Sequence, residues 1–433
     1  MKIKRFLIAA LCVTLIITGS FSSAAADTPA VTGAQAREKV WNMMWRMATV
    51  KWSPSTTVYY EHQSEQIAGK TYSAGTVYVG MPYTQSSKSI DLFIRSFNDF
   101  DNDGVLDQFK PWVPVQYTSL SSENIDTIDI LMGNDCSGAV YWAMATVADV
   151  TFRGTRMMMP AKGTGLAFLD DSGNNLIDVD EPDYSRTAIG DLSDPARESA
   201  VRALMYNWYD SMQKGDVVVA NHEKWFKGAK YVYGHTMMVE SVDPVNQKVT
   251  ILQHGGPGAE WKKLSNGDFD LDYSNKNNEL KMGGDGTVLW NYGEMSYEDL
   301  FELYYVPLTL PEYSMSEISE GQVSIDNKNT GKLYLASGIV TATKGRLASL
   351  TVEIKNEDGT LLDSVTLDTA VYRWRMYRDA QTQRIVENTF DMTTFGPYLL
   401  KMGMKAGETY RYKLTAHLAD ETDHVLKEFM FVY

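Results

Sequence analysis

The apolar residues change their spacing once along the chain, near residue 312, and this bounds the fold more tightly than any other feature. Ahead of that point, helical and strand-like spacings are mixed. Residues 34–50 (AQAREKVWNMMWRMATV) put Val40, Met43, Met44, Met47 and Val50 on one helix face, which Lys51-Trp-Ser-Pro54 ends. Residues 136–149 (CSGAVYWAMATVAD) repeat the spacing with Ala139, Val140, Ala143, Met144 and Val147, behind the cap-type residues Asn134 and Asp135. Ser193-Asp194-Pro195 opens a third helix with Pro in its first position, and Gly215 follows its end. Strands are predicted at 216–219, 235–242 and, past the turn 243–247, at 249–253. A short helix and an extended segment over 297–310 close a domain. From 322 onward the text is short alternating segments such as Leu350-Thr-Val-Glu-Ile354 and Tyr410-Arg-Tyr-Lys-Leu-Thr415, with a turn at Glu357-Asp-Gly359. The expectation is an α+β domain over 27–311, a polar linker at 312–321, and an all-β, immunoglobulin-like sandwich over 322–433.

The first 26 residues read as an export signal. Met1-Lys-Ile-Lys-Arg5 precedes an apolar run over 6–19, and Ser20-Phe-Ser-Ser-Ala-Ala-Ala26 supplies the small residues of a cleavage site. The run is short beside the ~20 residues of a membrane span. Cys12 lies inside it after Leu11, which argues against a lipoprotein. Loss of Lys2, Lys4 and Arg5 takes the formal charge from −15 to −18. An exported chain this acidic has no electrostatic reason to bind nucleic acid or anionic lipid. At 44% hydrophobic and 22% charged, the 433-residue composition is that of a globular protein, which excludes disordered, collagen-like and coiled-coil classes. Removal of Cys12 leaves Cys136 as the only thiol, so no internal disulfide forms and Cys136 is a candidate reactive group.

Cys136 stands in Gly133-Asn-Asp-Cys-Ser-Gly138, at a helix start, where free N–H groups favour a thiolate and can hold an oxyanion. A thiolate that attacks an amide also needs an imidazole held by a third polar group. Of six histidines, His235 and His254 stand on the two arms of one predicted hairpin. If Met237 pairs with Gln253, then His235, Met237 and Val239 share a face with Gln253, Ile251 and Val249. A register shifted by one puts His254 in place of Gln253. The third position is open between Gln253 and His254, with the alternation leaning to Gln253.

The order Gly80-Met-Pro-Tyr83, then Asn134-Asp-Cys-Ser-Gly138 opening a helix, then Gly215-Asp216 and a strand headed by His235, resembles NlpC-type cysteine peptidases. These are papain-like enzymes that cut peptidoglycan stem peptides. The resemblance covers roughly residues 34–310. It implies a papain-like catalytic domain with Cys136 as nucleophile, His235 as base, Gln253 or His254 as orienting group, and Tyr83 and Ser137 at the substrate. It also implies secretion to a bacterial cell wall, with peptidoglycan or its stem peptides as partner, and no cofactor for catalysis. Two departures bear on substrate detail: more than 50 residues separate Tyr83 from Cys136, and the third position resembles that of CHAP amidases, where an acid or amide stands. The alternatives are therefore a CHAP-like N-acetylmuramoyl-L-alanine amidase, or a non-enzymatic wall-binding module that kept the fold. Oligomeric state is open.

Two acidic stretches are candidate structural Ca²⁺ loops. Asp99, Asp101, Asp103 and Asp107 take the first, third, fifth and ninth positions of an EF-hand-type loop, with the Val105 carbonyl at the seventh and Gly104 at the sixth. Its twelfth position is Lys110 rather than Glu. Asp170, Ser172, Asn174, Asp178 and Glu181 offer the first, third, fifth, ninth and twelfth positions of a second loop, with Asn175 in place of Gly. Trp41 and Trp45 read as core, and Trp225 and Trp261 as loop residues flanking the hairpin.

Overall fold

In the computed structural model, the first amphipathic segment forms helix α1, Gly33–Thr49. The structure describes residues 31–433 apart from 55–56, 61–69, 84–88, 96, 100–104, 110–132, 153, 171–174, 227–228, 256–259, 264–268, 273–280, 283–289, 327–333, 369–375 and 379–384. The leader lies outside these described residues. Thr32 starts α1 with a capping box: its hydroxyl accepts the Gln35 N–H, and the Gln35 side chain accepts the Thr32 N–H at 2.8 Å. The face carrying Val40, Met43, Met44 and Met47 is buried, as is Trp41. Trp45, expected in the core, lies at the surface instead, edge-on to Tyr292 at 5.5 Å. It directly follows Met44 and stands one turn on from Trp41, on which it stacks at 6.0 Å, at the outer edge of the buried stripe.

Helix α2 is Cys136–Met144, and every residue of it is buried. It stops short of the expected residue 149. The Thr146 hydroxyl bonds back to Ala143 O at 2.6 Å, and the N–H groups of Thr146 and Val147 reach the carbonyls three residues back. That tightening ends regular α geometry. Helix α3, Pro195–Ser211, is capped by Asp194, which accepts the Ala196 N–H at 3.0 Å.

A seven-stranded sheet supports these helices. We label its main strands β1 (Val217–Phe226), β2 (Ala229–Asp243), β3 (Lys248–His254), β4 (Trp290–Ser296) and β5 (Val306–Thr309). The order across the sheet is Lys281–Met282, β4, β3, β2, β1, β5, Ala167–Phe168, with antiparallel pairing throughout. The β1–β2 hairpin extends from the Val217–Met238 pair to Phe226–Ala229, well past the two short strands predicted. Residues 220–234 bunch their large apolar side chains as Trp225-Phe226 and Tyr231-Val-Tyr233 between Lys and Gly, so they carry no regular apolar alternation that a sequence reading could follow. The β2–β3 turn is an Asx turn: Asp243 Oδ1 accepts the N–H groups of Val245 and Asn246 at 3.1 and 3.0 Å.

The chain is mixed α/β, with an α+β body followed by a β-rich one. In the latter, Gln322–Asp326, Ile339–Lys344, Ile385–Asp391 and Met376–Arg378 form one antiparallel sheet in that order. Leu361–Asp368, Leu347–Asn356, Thr409–Leu418 and Asp423–Val432 form the other. The polar stretch 312–321 is anchored at several points, among them the Gly321 N–H, which donates to Asp420 Oδ2 at 2.9 Å. Tyr313 is buried with its hydroxyl donating to Gly215 O at 3.0 Å, and Ile318 bridges to Val31. The β-rich body touches α1 through Lys39, whose ammonium donates to Asp420 O, and touches α2 through the buried Arg346 guanidinium over the Tyr141 ring at 5.7 Å. Among the described residues, no helix is long and apolar enough to cross a membrane.

Asp216, immediately before β1, ties three elements together. Its fully buried carboxylate takes the Arg37 guanidinium of α1 at 2.8 Å, the Thr309 hydroxyl of β5 at 2.6 Å and the Gln213 N–H at 2.8 Å. Burial raises its pKa, and these donors act against that rise. Removing the carboxylate leaves the Arg37 charge and two donors without their acceptor. Asp216→Ala is expected to cost about 3 kcal/mol in denaturant unfolding, and Thr309→Val about 1 kcal/mol.

Candidate active site

The site begins with the cap of α2. Asp135 has extended backbone, and its carboxylate accepts the Gly138 N–H at 2.6 Å and the Ser137 hydroxyl at 2.9 Å. Cys136 follows, 6% exposed. Burial, first, and the neighbouring Asp135 carboxylate, second, push its thiol pKa well above the ordinary value. The backbone at Thr236, Ser137 and Cys136 itself acts in the other direction without prevailing. A helix start alone suggests a thiolate at rest. Here burial, and then the capping carboxylate that starts the helix, both oppose the thiolate.

Helix α2 packs on β2, the strand that carries His235. The half-buried His235 ring is held by Gln253 of β3, with His235 Nε2 2.6 Å from Gln253 Oε1. An amide oxygen only accepts, so Nε2 carries the proton and Nδ1 keeps a lone pair. Burial lowers the imidazole pKa, and the Gln253 bond partly offsets this. Gly255 closes over the ring: a Cβ there would stand 2.7 Å from His235 Cε1. Only glycine leaves room for the imidazole in this position.

His254 points to the opposite side of β3. It is fully buried, and its ring stacks on Trp290 of β4, with centroids 3.9 Å apart and planes at 9°. Its Nδ1 lies 2.7 Å from Asn134 Oδ1, and the Tyr83 ring meets it edge-on at 5.2 Å. Of the two candidates for the third position, Gln253 therefore contacts His235 and His254 contacts the segment that leads into Cys136. Tyr83 reaches this place through a parallel bridge to Asn134, reinforced by the Asn134 N–H to Pro82 O at 3.2 Å. The indoles fix the preceding residues: Trp52 Nε1 donates to Gly80 O and Trp290 Nε1 to Met81 O, both at 2.8 Å. Asn134, Trp290, Thr236 and Gly255 did not emerge from the sequence. Asn134 was read only as a capping residue, and the role of the others depends on cross-strand and loop contacts.

Other expected residues lie elsewhere or do other work. Ser137 is buried, and its hydroxyl is committed to Asp135 rather than open to a substrate. Asp101 and Asp103 lie outside the described residues. Asp99 and Asp107 are cross-strand partners in a hairpin of Phe97–Asp99 with Val105–Phe109, so strands rather than helices flank that loop. Of the second loop, Ser172 and Asn174 are outside the described residues, and Asp170 is exposed. Asp178 accepts the Asp180 N–H at 3.1 Å, and Glu181 accepts those of Asp183 and Tyr184 at 2.8 and 3.2 Å. Among the described residues, no group of three or more His, Cys, Asp or Glu is gathered as a metal site. Trp225 lies in β1 and Trp261 in the strand Glu260–Lys263, not in loops. Neither the family models nor the curated proteins compared with this chain match it.

The His235 environment sets a pH dependence. Its folded pKa lies below the unfolded value of about 6.5. Between the two values the unfolded chain binds the proton and the folded chain does not, so stability from this residue falls as pH drops below about 6.5. Wild type should lose more unfolding free energy between pH 7 and 5 than His235→Gln. In NMR titration, Gln253→Leu should lower the imidazole pKa further, since the bond it removes favours the charged ring.

Proposed function

We propose that this chain is an exported cysteine peptidase of NlpC type, with a papain-like catalytic domain and an immunoglobulin-like sandwich, that hydrolyses amide bonds in peptidoglycan stem peptides of a bacterial cell wall. The observation that carries the reading is the His235–Gln253 bond at 2.6 Å on the strand pair against which the helix of Cys136 packs. It leaves Nδ1 as the basic nitrogen in the neighbourhood of the only thiol of the mature chain.

The chemistry follows from two neutral partners. Cys136 Sγ attacks the amide carbonyl carbon while its proton passes to His235 Nδ1, so the thiolate exists only as the C–S bond forms. The carbonyl oxygen takes up negative charge at the start of α2, where the helix dipole favours it. Collapse breaks the C–N bond, and the imidazolium returns its proton to the leaving amine. Water then attacks the thioester with His235 as base, which releases the carboxylate and restores the thiol. Gln253 holds the tautomer through both half-reactions.

A second reading shares this machinery. The amide side chain at the third position fits a CHAP-like N-acetylmuramoyl-L-alanine amidase, which would free the stem peptide at its first residue. Mass spectrometry of digested peptidoglycan separates the two by whether new amino termini arise at L-alanine or within the stem. Under either reading, Cys136→Ala and His235→Ala should abolish fragment release while the protein stays folded. Gln253→Leu, which frees the imidazole to take the other tautomer, should lower kcat by about 100-fold. Undiminished release by Cys136→Ala would overturn the mechanism.

A further inference from the structure

Asn134 and His254 are both fully buried, and neither belongs to the reacting group itself. Asn134 lies two residues before Cys136, and His254 directly follows Gln253. Asn134 Nδ2 lies 3.3 Å from Met47 Sδ, a sulfur that can only accept, which turns Oδ1 to His254. His254 Nδ1 is therefore the donor in their 2.7 Å bond. The His254 ring cannot swing away, because Trp290 lies flat against it and Tyr83 abuts its face. Together with the chemistry above, these contacts close a ring. Helix α2, which starts at Cys136, packs on β2, the strand of His235; His235 bonds Gln253; Gln253 adjoins His254; His254 bonds Asn134; and Asn134 leads through Asp135 back to Cys136.

Resting on the peptidase reading above, we propose that Asn134 and His254 are a pair of positioning residues that sets the spacing between the thiol and its imidazole. The catalytic side of the ring must loosen during reaction, when Sγ moves onto the substrate carbon. The Asn134–His254 side does not take part in that step and holds the two supports in register. The pair acts through Asp135 and Gln253, and it touches no substrate.

The test uses the full-length mature protein and variants that keep the local shape. His254→Phe retains a ring on Trp290 and removes the donor, Asn134→Leu removes the acceptor, and His254→Gln restores an N–H donor. Cys136 alkylation by iodoacetamide is followed from pH 6 to 10, with kcat and KM on a stem peptide measured in parallel. The neutral-pH arm, which needs His235 to take the proton, should fall about 10-fold in His254→Phe and in Asn134→Leu. The alkaline arm, which reports free thiolate, should stay within about threefold, as should KM. The double variant should fall no further than either single one, and His254→Gln should recover most of the loss. A wild-type neutral arm in both single variants, an equal fall of both arms, additive losses in the double variant, or no recovery with Gln would each overturn the pair's role. Should His254→Phe fail to fold, Asn134→Leu and His254→Gln carry the same comparison. Alkylation needs no stem peptide, so a wild type that alkylates as described yet cleaves nothing sinks the peptidase reading and leaves the positioning pair standing.

Discussion

The register of β3 against β4 is the constraint on which the rest of the site depends. Pairing runs without interruption from Lys248–Ser296 to His254–Trp290, so β4 acts as the ruler for β3. The other side of β3 is less regular, with a shift between Thr250 and Ile251 where it meets β2. Beyond that shift, Ile251 faces Val239 and Leu252 faces Met238, and the same register continued puts Gln253 opposite Met237. Side chains alternate along a strand, so Gln253 and His254 must turn to opposite sides. A slip of one residue would bring His254 against His235 and put an amide where an imidazole now stacks on Trp290. The stack and the Asn134 bond therefore defend the register as well as use it.

Electrostatics follows from how dry this place is. A helix N-terminus normally favours a thiolate, yet Asp135, which caps the helix, is a buried carboxylate adjacent in sequence to the thiol. Low dielectric strengthens that repulsion and removes the water that would hydrate an anion. The same burial favours the neutral form of His235. The two shifts move apart, the acid upward and the base downward, which widens the pH range in which both are uncharged. Such a site stores its reactivity in the arrangement of proton donor and acceptor rather than in a standing thiolate.

Much of this architecture was legible in the sequence where one residue decides local structure. The Asp135 cap, the Pro195 helix start and the Asp243 turn each depend on side chain to backbone bonds within three residues. The apolar alternation of Val249 and Ile251 already leaned towards Gln253 as the partner of His235. The sequence was silent on partners brought together over long separations: His254 meets Asn134 across 120 residues, and Trp290 meets Met81 across 209. It also misled where one motif has two readings. Ser137 stands next to Cys136 in the chain, but helix geometry turns its hydroxyl back to the cap.

The long separation between Tyr83 and Cys136 is compatible with a well-defined site because its two ends are fixed independently of what lies between them. At the first end, Gly80 N–H bonds Val50 O at 2.7 Å and Met81 N–H bonds Met47 O at 2.8 Å, both at the close of α1. Two indole N–H groups hold the carbonyls of the same residues. At the second end, Asn134 joins Pro82 through its N–H and the base of α1 through Met47. Closing a flexible loop costs free energy only with the logarithm of its length, about 0.6 kcal/mol for each doubling. A bridge between Tyr83 and Asn134 that is buttressed by Trp52, Trp290 and Met47 readily meets a cost of that size. Insertion length at this point therefore bears on what surrounds the site far more than on the geometry of Cys136, His235 and Gln253.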